Sequence, residues 1–251
     1  MIREETVFGP IFSRRLGTSL GINLLPEKGK ICNFDCIYCE CGWNRDGRND
    51  TVLPSAEKVK SDLERMLCLQ KDKGVKIDSI TFSGDGEPTL NPAFAPIIDI
   101  TLSLRDRLYP EAQVSVLSNA TRLDDPAVFA ALRKVDNPIL KLDAADDATV
   151  RVVNGPQGRY RVADVIAGMR RFEGDFILQT MFLRGPGFDS SAPEVLLPWM
   201  DVVRDLHPRK VMVYTLAREA PAQGLEAFTA AQMRALVRPL LDEGFDIQIN
   251  D

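Results

Sequence analysis

Four of the chain's five cysteines lie within ten residues, in the segment ICNFDCIYCEC at 31–41. Three of them form the pattern C-x3-C-x2-C, namely Cys32, Cys36 and Cys39. Thiolates are soft ligands that select iron–sulfur clusters, zinc or copper(I). A structural zinc site normally needs four ligands in two separated pairs, and neither Cys68 nor the single histidine completes a second pair. Three cysteines in a short loop would leave one iron of a four-iron cluster without a protein ligand, so a small molecule could bind the metal there.

A second polar segment, SGDGEPTL at 83–90, follows an apolar run that reads as a strand. Gly84 and Gly86 permit close approach and unusual φ angles, and Asp85 lies between them. The carboxylate of Glu87 could accept a hydrogen bond from an ammonium group. The alternative is an ordinary strand-to-helix turn, because acidic residues favour helix starts.

Further polar residues lie within or at the ends of predicted strands, where they could bind a ligand: Ser118, Asn119, Lys141, Asp143 and Gln179. Hydroxyl and amide groups at strand ends suit polar ligands, although they also make ordinary turns. Lys141 and Asp143 are two residues apart and therefore lie on one strand face. A purely structural ion pair inside a barrel is costly, so ligand binding is a reasonable alternative.

Alternating apolar and amphipathic segments must position these residues. The predicted strands cover 19–25, 79–84, 114–119, 138–144, 176–183, 210–216 and 245–250. The predicted helices cover 55–71, 94–108, 126–135, 161–173, 192–206 and 229–244. This alternation predicts an α/β fold, a partial (β/α)6-type TIM-like barrel with parallel strands and outer helices. No linker divides the chain, so we predict one domain over 1–251, with its chemistry at the carboxyl ends of the strands.

Composition excludes some functional classes. The 251 residues are 45% hydrophobic and 27% charged, with a formal net charge of −5, which does not favour nucleic acid as a partner. The start, MIREETVFGP, has no apolar signal-peptide core, and no apolar run reaches the roughly 18 residues of a membrane span. These features predict a cytoplasmic protein without a membrane segment. In a reducing compartment, clustered cysteines favour metal or redox chemistry over disulfides.

The C-x3-C-x-aromatic-C pattern, with Tyr38 as the aromatic residue, resembles the cluster loop of the radical S-adenosylmethionine (SAM) enzymes. The resemblance implies that Cys32, Cys36 and Cys39 hold a [4Fe–4S] cluster whose fourth iron is chelated by SAM. It also implies that Tyr38 lies near the adenine. Cys41 exceeds the family's triad and is expected not to be a ligand, and Cys68 is expected to be a small core residue.

The second polar segment extends the resemblance. Gly84-Asp85-Gly86-Glu87 resembles the family's GGE segment, which holds the SAM amino group, with Asp85 interrupting the glycine pair. Ser118 and Asn119 occupy a position that resembles family segments in contact with SAM. The same cofactor-binding role is a hypothesis for Lys141, Asp143 and Gln179.

The start of the chain narrows the resemblance to one branch. FGPIFSRRLGTSLGINLLP at 8–26, taken with the two motifs, resembles the wyosine-forming enzymes of tRNA modification and their bacterial relatives of unassigned function. Four arginines are candidates for substrate contact: Arg14, Arg15, Arg159 and Arg218. No second trio of cysteines and no strongly basic extension accompany these motifs.

The resemblance implies reductive cleavage of SAM to methionine and a 5′-deoxyadenosyl radical, which abstracts hydrogen from a substrate. The acidic balance favours a small molecule, a peptide or a protein as that substrate. An RNA-modifying enzyme is the alternative, and a non-enzymatic iron–sulfur or zinc-binding protein is a third possibility. An external one-electron donor such as flavodoxin or ferredoxin is the expected partner.

Overall fold

The computed structural model describes residues 5–13, 15–46 and 50–250, and it divides into two compact units. The first unit comprises Met1–Cys32, Asn44–Ser118 and Arg122–Pro138. The second unit comprises Asn33–Trp43, Asn119–Thr121 and Ile139–Asp251. None of the helices in the described ranges is long and apolar enough to cross a membrane.

Strands and helices alternate through the described ranges. The strands are β1 (Val7–Ser13), β2 (Gly17–Ile22), β3 (Ser79–Phe82), β4 (Gln113–Ser118), β5 (Asn137–Lys141), β6 (Ile177–Met181), β7 (Leu183–Gly185), β8 (Phe188–Asp189), β9 (Lys210–Tyr214), β10 (Glu226–Ala227) and β11 (Ile247–Asn250). The helices are α1 (Ala56–Asp72), α2 (Phe94–Leu108), α3 (Pro126–Leu132), α4 (Asp147–Val153), α5 (Val162–Arg170), α6 (Pro193–Leu206), α7 (Ala230–Leu236) and α8 (Arg238–Asp242).

The main sheet has the strand order β1-β2-β3-β4-β5-β6-β9-β11, and β10, β7 and β8 form a small second sheet. The main-sheet registers that the structure describes are parallel for β2–β3, β3–β4, β5–β6, β6–β9 and β9–β11. The edge strand β1 pairs with β2 in the antiparallel direction. The predicted α/β fold, a partial TIM-like barrel with parallel strands and outer helices, is therefore confirmed.

Helix α1 begins where the sequence predicts, directly after Ser55. Its N-cap, Ser55, accepts a hydrogen bond from the Lys58 backbone N–H at 3.2 Å. Val59, Leu63 and Leu67 are fully buried along one stripe. The prediction for Cys68 is wrong, because this residue is exposed: it lies about 100° around the helix from Leu67 and so leaves the buried stripe.

The predicted helix 229–244 is interrupted in the structure. α7 ends at Leu236, and α8 begins at Arg238 with Pro239 in its first turn. Proline lacks the N–H that a continuing helix would need, but it is tolerated at a helix start. The short helix α4 is absent from the sequence-based prediction, although Asp146 caps it by accepting a hydrogen bond from the Thr149 N–H at 2.8 Å.

The first unit contains a buried ladder of hydroxyl groups near the amino ends of its strands. The Thr81 Oγ1 atom lies 2.8 Å from the Ser19 Oγ atom and 2.9 Å from the Ser79 Oγ atom. The Ser115 Oγ atom lies 3.0 Å from the Ser79 Oγ atom and accepts from the Asn137 side-chain amide at 3.2 Å. Each buried hydroxyl thus has a partner on a neighbouring strand or residue, as burial of polar groups requires.

We expect Thr81→Val to destabilise the protein by about 1–3 kcal/mol, because the isosteric change removes a partner from the buried hydroxyls of Ser19 and Ser79. Urea unfolding followed by circular dichroism measures the loss. Thr101→Val is the matched control: the Thr101 hydroxyl is also buried, but it has no hydrogen-bond partner among the residues that the structure describes, so its removal should be neutral or stabilising. Equal unfolding midpoints for the two variants would contradict the role of the ladder.

Candidate functional site

In the first unit, the residue before Cys32 pairs with the Gly-Asp-Gly-Glu segment. The Ile31 N–H donates to the Asp85 carbonyl at 3.1 Å, and the Glu87 N–H donates to the Ile31 carbonyl at 3.1 Å. Gly86 has φ +138°, and a Cβ atom there would overlap the Ile31 carbonyl oxygen. Only glycine therefore permits this close approach of the two backbones.

Glu87 is buried, and one of its carboxylate oxygens already holds three hydrogen bonds. Its Oε1 atom accepts from the Thr89 N–H at 3.1 Å, the Thr89 hydroxyl at 2.6 Å and the Ser118 hydroxyl at 2.9 Å. It thereby caps the short 3-10 helix Pro88–Leu90, which is the helix-start alternative that the sequence left open. The structure also brings Ser118 to Glu87, which makes these two predicted site residues neighbours.

In the second unit, the cysteine loop is docked on the end of α4. The Asp35 N–H donates to the Asn154 carbonyl at 2.8 Å, and the Ile37 N–H donates to the Val153 carbonyl at 3.0 Å. Gly155, at φ +51°, lies against the Asp35 carbonyl oxygen, where a Cβ atom would be only 2.9 Å away. These contacts fix the backbone that carries Cys36 and Cys39.

Asn119 also contacts this loop. Its Nδ2 atom donates to the Asn33 side-chain oxygen at 2.6 Å, and the Asn33 Nδ2 atom donates to the Thr121 hydroxyl at 2.5 Å. The Thr121 hydroxyl donates back to the Asn119 side-chain oxygen at 2.7 Å. Asn119 therefore orients the residue that follows Cys32. Sequence reasoning missed Asn33 and Thr121. Their only signal was polarity, Asn33 inside the cysteine loop and Thr121 two residues after Asn119.

Asp143 is the centre of a buried network in the second unit. Its side chain is fully buried and accepts a hydrogen bond from the Tyr38 hydroxyl. The Asn154 side-chain amide donates to the same carboxylate oxygen at 2.6 Å, and the Met181 N–H donates to the other at 2.9 Å. Burial and the nearby Asp143 carboxylate raise the pKa of Tyr38 well above its ordinary value, so Tyr38 is a neutral donor.

Lys141 supplies the countercharge. Its Nζ atom lies 3.5 Å from the Asp143 carboxylate and donates to the Tyr214 hydroxyl at 2.8 Å. It also lies 5.0 Å and 5.2 Å from the ring centres of Tyr38 and Tyr214, a cation–π arrangement. Burial by itself lowers the pKa of Lys141, but Asp143 and Tyr214 outweigh this effect, so the net shift is upward and the ammonium stays charged.

Cys36 lies beside this network. Burial raises the pKa of its thiol to about 11, although Lys141 and a hydrogen bond from Asn154 act in the opposite direction. The thiol is therefore protonated at neutral pH in the metal-free chain. Coordination to a metal would remove the proton, because a bound cation outweighs the surrounding charges.

Gln179 is the predicted site residue with an unmet hydrogen-bond requirement. It is buried on β6, in register with Lys141 on β5, and its Nε2 atom has no hydrogen-bond partner in the described parts of the chain. An unsatisfied buried donor is uncommon in folded proteins and is expected where a polar ligand completes the site.

The three described arginine candidates, Arg15, Arg159 and Arg218, do not share this environment. Arg159 is exposed, and exposed Arg218 pairs with Glu40 at 2.6 Å, beside the cysteines. Arg15 lies in the turn before β2, at the amino end of that strand. Glu87 follows the parallel strand β3 and so lies at the opposite, carboxyl end. Arg14 lies outside the described residues.

The donor chemistry fits a thiolate-held cluster and a polar ligand. None of the five cysteines forms a disulfide. Within the described ranges, no group of three or more His, Cys, Asp or Glu side chains could hold a single metal ion. A four-iron cluster takes each thiolate on a different iron, so its ligands need not converge on one point. The unsatisfied amide of Gln179 and the charged Lys141 suit a ligand with acceptor oxygens.

A protein-family model described as the radical SAM superfamily matches residues 27–188 of the chain. A UPF0026 protein from Methanocaldococcus jannaschii is 30% identical over 217 residues, which cover 84% of this chain and 63% of that protein. The chain spans 33% and 63% of the length of the first two curated relatives.

Two solved structures share the fold. A radical SAM methyltransferase from Sphaerobacter thermophilus matches with a TM-score of 0.71 and 15% identity, covering 95% of this chain and 67% of that chain. TYW1 with a lysine-pyruvate adduct bound matches with a TM-score of 0.63 and 16% identity, covering 92% and 76%. At these identities the similarity concerns the fold alone.

We expect Gly86→Ala to cost about 2–4 kcal/mol of stability, because the new methyl group must displace the Ile31 carbonyl in addition to straining φ. Gly74→Ala is the control. Gly74 also has a positive φ, at +67°, but apart from its two chain neighbours no described residue has an atom within 4 Å of the added Cβ, so only the strain of about 1 kcal/mol remains. Urea unfolding of the two variants measures the difference. Equal losses would show that the contact with Ile31 does not matter.

Proposed function

Because the chain belongs to the radical SAM superfamily, we propose that it is a radical SAM enzyme in which Cys32, Cys36 and Cys39 hold a [4Fe–4S] cluster. The observation that carries the proposal is the C-x3-C-x2-C loop, which lies inside the matched residues 27–188. The backbone of this loop is held by hydrogen bonds on both sides of its first cysteine, at Ile31 and at Asp35.

Enzymes of this superfamily use a [4Fe–4S] cluster and SAM. When bound, these groups supply an electron and a sulfonium whose cleavage yields methionine and a 5′-deoxyadenosyl radical. The chain's own contribution is to donate three thiolates, orient the ligand and exclude water. Cys41 has no part in this ligand set.

The ten proposed SAM-binding residues are Tyr38, Gly84, Asp85, Gly86, Glu87, Ser118, Asn119, Lys141, Asp143 and Gln179. Gln179 has the strongest support, because its Nε2 atom can donate to a ligand oxygen without breaking an existing hydrogen bond. Lys141 beside it supplies positive charge for a carboxylate. Tyr38 is a buried member of a hydrophobic cluster with Val153 and Met181, and its proposed role is to lie near the adenine of bound SAM.

Radical SAM enzymes generally need an external electron donor. For this chain we propose flavodoxin or ferredoxin in that role, and a cytoplasmic location. The proposed substrate is a small molecule, a peptide or a protein. The net charge of −5 supports this class over RNA, because RNA binding relies on basic surfaces that neutralise phosphates.

We expect anaerobically reconstituted wild-type protein to form 5′-deoxyadenosine and methionine from SAM with dithionite. The triple variant Cys32→Ala, Cys36→Ala, Cys39→Ala should form neither above background, because it lacks every proposed cluster ligand. Chromatography of the reaction products and an iron assay provide the measurement.

Cys41→Ala is the matched control, since it removes a thiol from the same loop and should retain both iron and product formation. Product formation by the triple variant would refute the proposal. Loss of iron in the Cys41 variant would instead make Cys41 a ligand and change the proposed set.

The substrate class has a separate test. We expect the protein to show no salt-dependent binding to bulk tRNA in a filter-binding assay, because no net positive charge draws it to phosphates. A steep loss of binding with rising salt would contradict the proposed substrate class and favour the RNA-modifying alternative.

A further inference from the structure

Asn154 connects the cysteine loop to the buried network, and none of the motifs singled it out. It is 1% exposed and follows the last residue of α4. Its Nδ2 atom lies 3.4 Å from the Cys36 Sγ atom, 2.6 Å from the Asp143 carboxylate and 3.1 Å from the Tyr38 hydroxyl oxygen. One side-chain amide thus joins a proposed cluster ligand to two other groups, the Asp143 carboxylate and the Tyr38 hydroxyl.

The orientation of this amide follows from its partners. An ionised carboxylate can only accept hydrogen bonds, so the nitrogen of Asn154, and not its oxygen, must face Asp143. Tyr38 donates its own proton to Asp143, which leaves its oxygen as an acceptor. The amide has two hydrogens for three acceptors: the Asp143 carboxylate, the Tyr38 oxygen and the Cys36 sulfur.

The backbone around Asn154 holds this geometry without help from the side chain. Its N–H donates to the Val150 carbonyl at 2.8 Å, and its carbonyl accepts from the Asp35 N–H at 2.8 Å. Its φ of −109° and ψ of −15° are accessible to any residue other than proline. Replacing the side chain therefore leaves the helix cap and the loop contact in place.

We propose that Asn154 is a positioning residue that holds the Cys36 sulfur through an N–H···S hydrogen bond and thereby raises the reduction potential of the cluster. The inference rests on the proposed function, because it takes Cys36 as a cluster ligand. Hydrogen bonds to ligand sulfurs are among the determinants of iron–sulfur potentials. The reduced cluster carries one more negative charge than the oxidised cluster, so a donor stabilises the reduced form more.

Asp143 and Lys141 orient the Asn154 amide that makes this hydrogen bond. Asp143 accepts the first hydrogen of the amide and so fixes the direction of the second. The Lys141 ammonium lies 3.5 Å from the Asp143 carboxylate and supplies its countercharge. Cys36 is thus linked through Asn154 to a charge-compensated pair.

The test is a redox titration of the reconstituted cluster, followed by electron paramagnetic resonance without SAM. Asn154→Leu has similar volume but no donor. We expect it to shift the reduction equilibrium about tenfold toward the oxidised form, the size of effect that loss of one hydrogen bond to a charged group produces. Asn154→Ala should shift it in the same direction.

Val150→Ala is the matched control. Val150 is buried on α4, so its truncation loosens the same helix without changing any charge and without removing the Asn154 donor to Cys36. Its reduction equilibrium should remain at the wild-type value. An equal shift in this control would overturn the inference, because loosening of α4 would then explain the change in the reduction equilibrium.

The remaining outcomes are also decisive. An unchanged equilibrium in Asn154→Leu or Asn154→Ala overturns the inference. If both variants retain native circular dichroism but lose the cluster while Val150→Ala keeps it, the result supports positioning of Cys36. If neither variant folds, the side chain is structural and the inference fails. A wild-type protein that binds no cluster contradicts the proposed function instead.

Discussion

A carboxylate that leaves water must be surrounded by hydrogen-bond donors or by a countercharge, and Asp143 imposes this requirement on the second unit. Its fully buried side chain accepts hydrogen bonds from the Tyr38 hydroxyl, the Asn154 amide and the Met181 N–H, and it pairs with the Lys141 ammonium. Each donor comes from a different segment. The charge of Asp143 therefore adds hydrogen bonds and an ion pair that link the cysteine loop, the end of α4 and strands β5 and β6, in addition to the backbone hydrogen bonds among these segments.

The first unit meets a different constraint, the close approach of two backbones. Ile31 pairs with Gly86, and no larger residue fits at that position. Glu87, the residue after Gly86, then turns its carboxylate to Thr89 and Ser118. The backbone geometry before Cys32 thus depends on Gly86, which has no Cβ atom. The geometry after Cys32 depends on buried hydrogen bonds.

Periodic elements were predictable from the sequence, and irregular ones were not. The seven predicted strands are all present with small differences in their ends, because buried parallel strands give strong apolar runs. α1 was predicted from its cap and stripe. α4 has too few residues for a clear period. The break before α8 is predictable only if Pro239 is taken to end the preceding helix. Cys68 is exposed although the preceding residue, Leu67, is buried, because adjacent positions on a helix face different directions.

The sequence by itself determined which chemical groups are available: three thiols at fixed spacing within eight residues, and a Gly-Asp-Gly-Glu turn after a strand. Local spacing suffices there because the short loop carries all three thiols. Only the tertiary structure decided what surrounds them. Asn154 is 118 residues from Cys36, and Asp143 is 105 residues from Tyr38. Contacts over such separations are set by which strands pair and in which register, and no local pattern of residue types encodes that pairing.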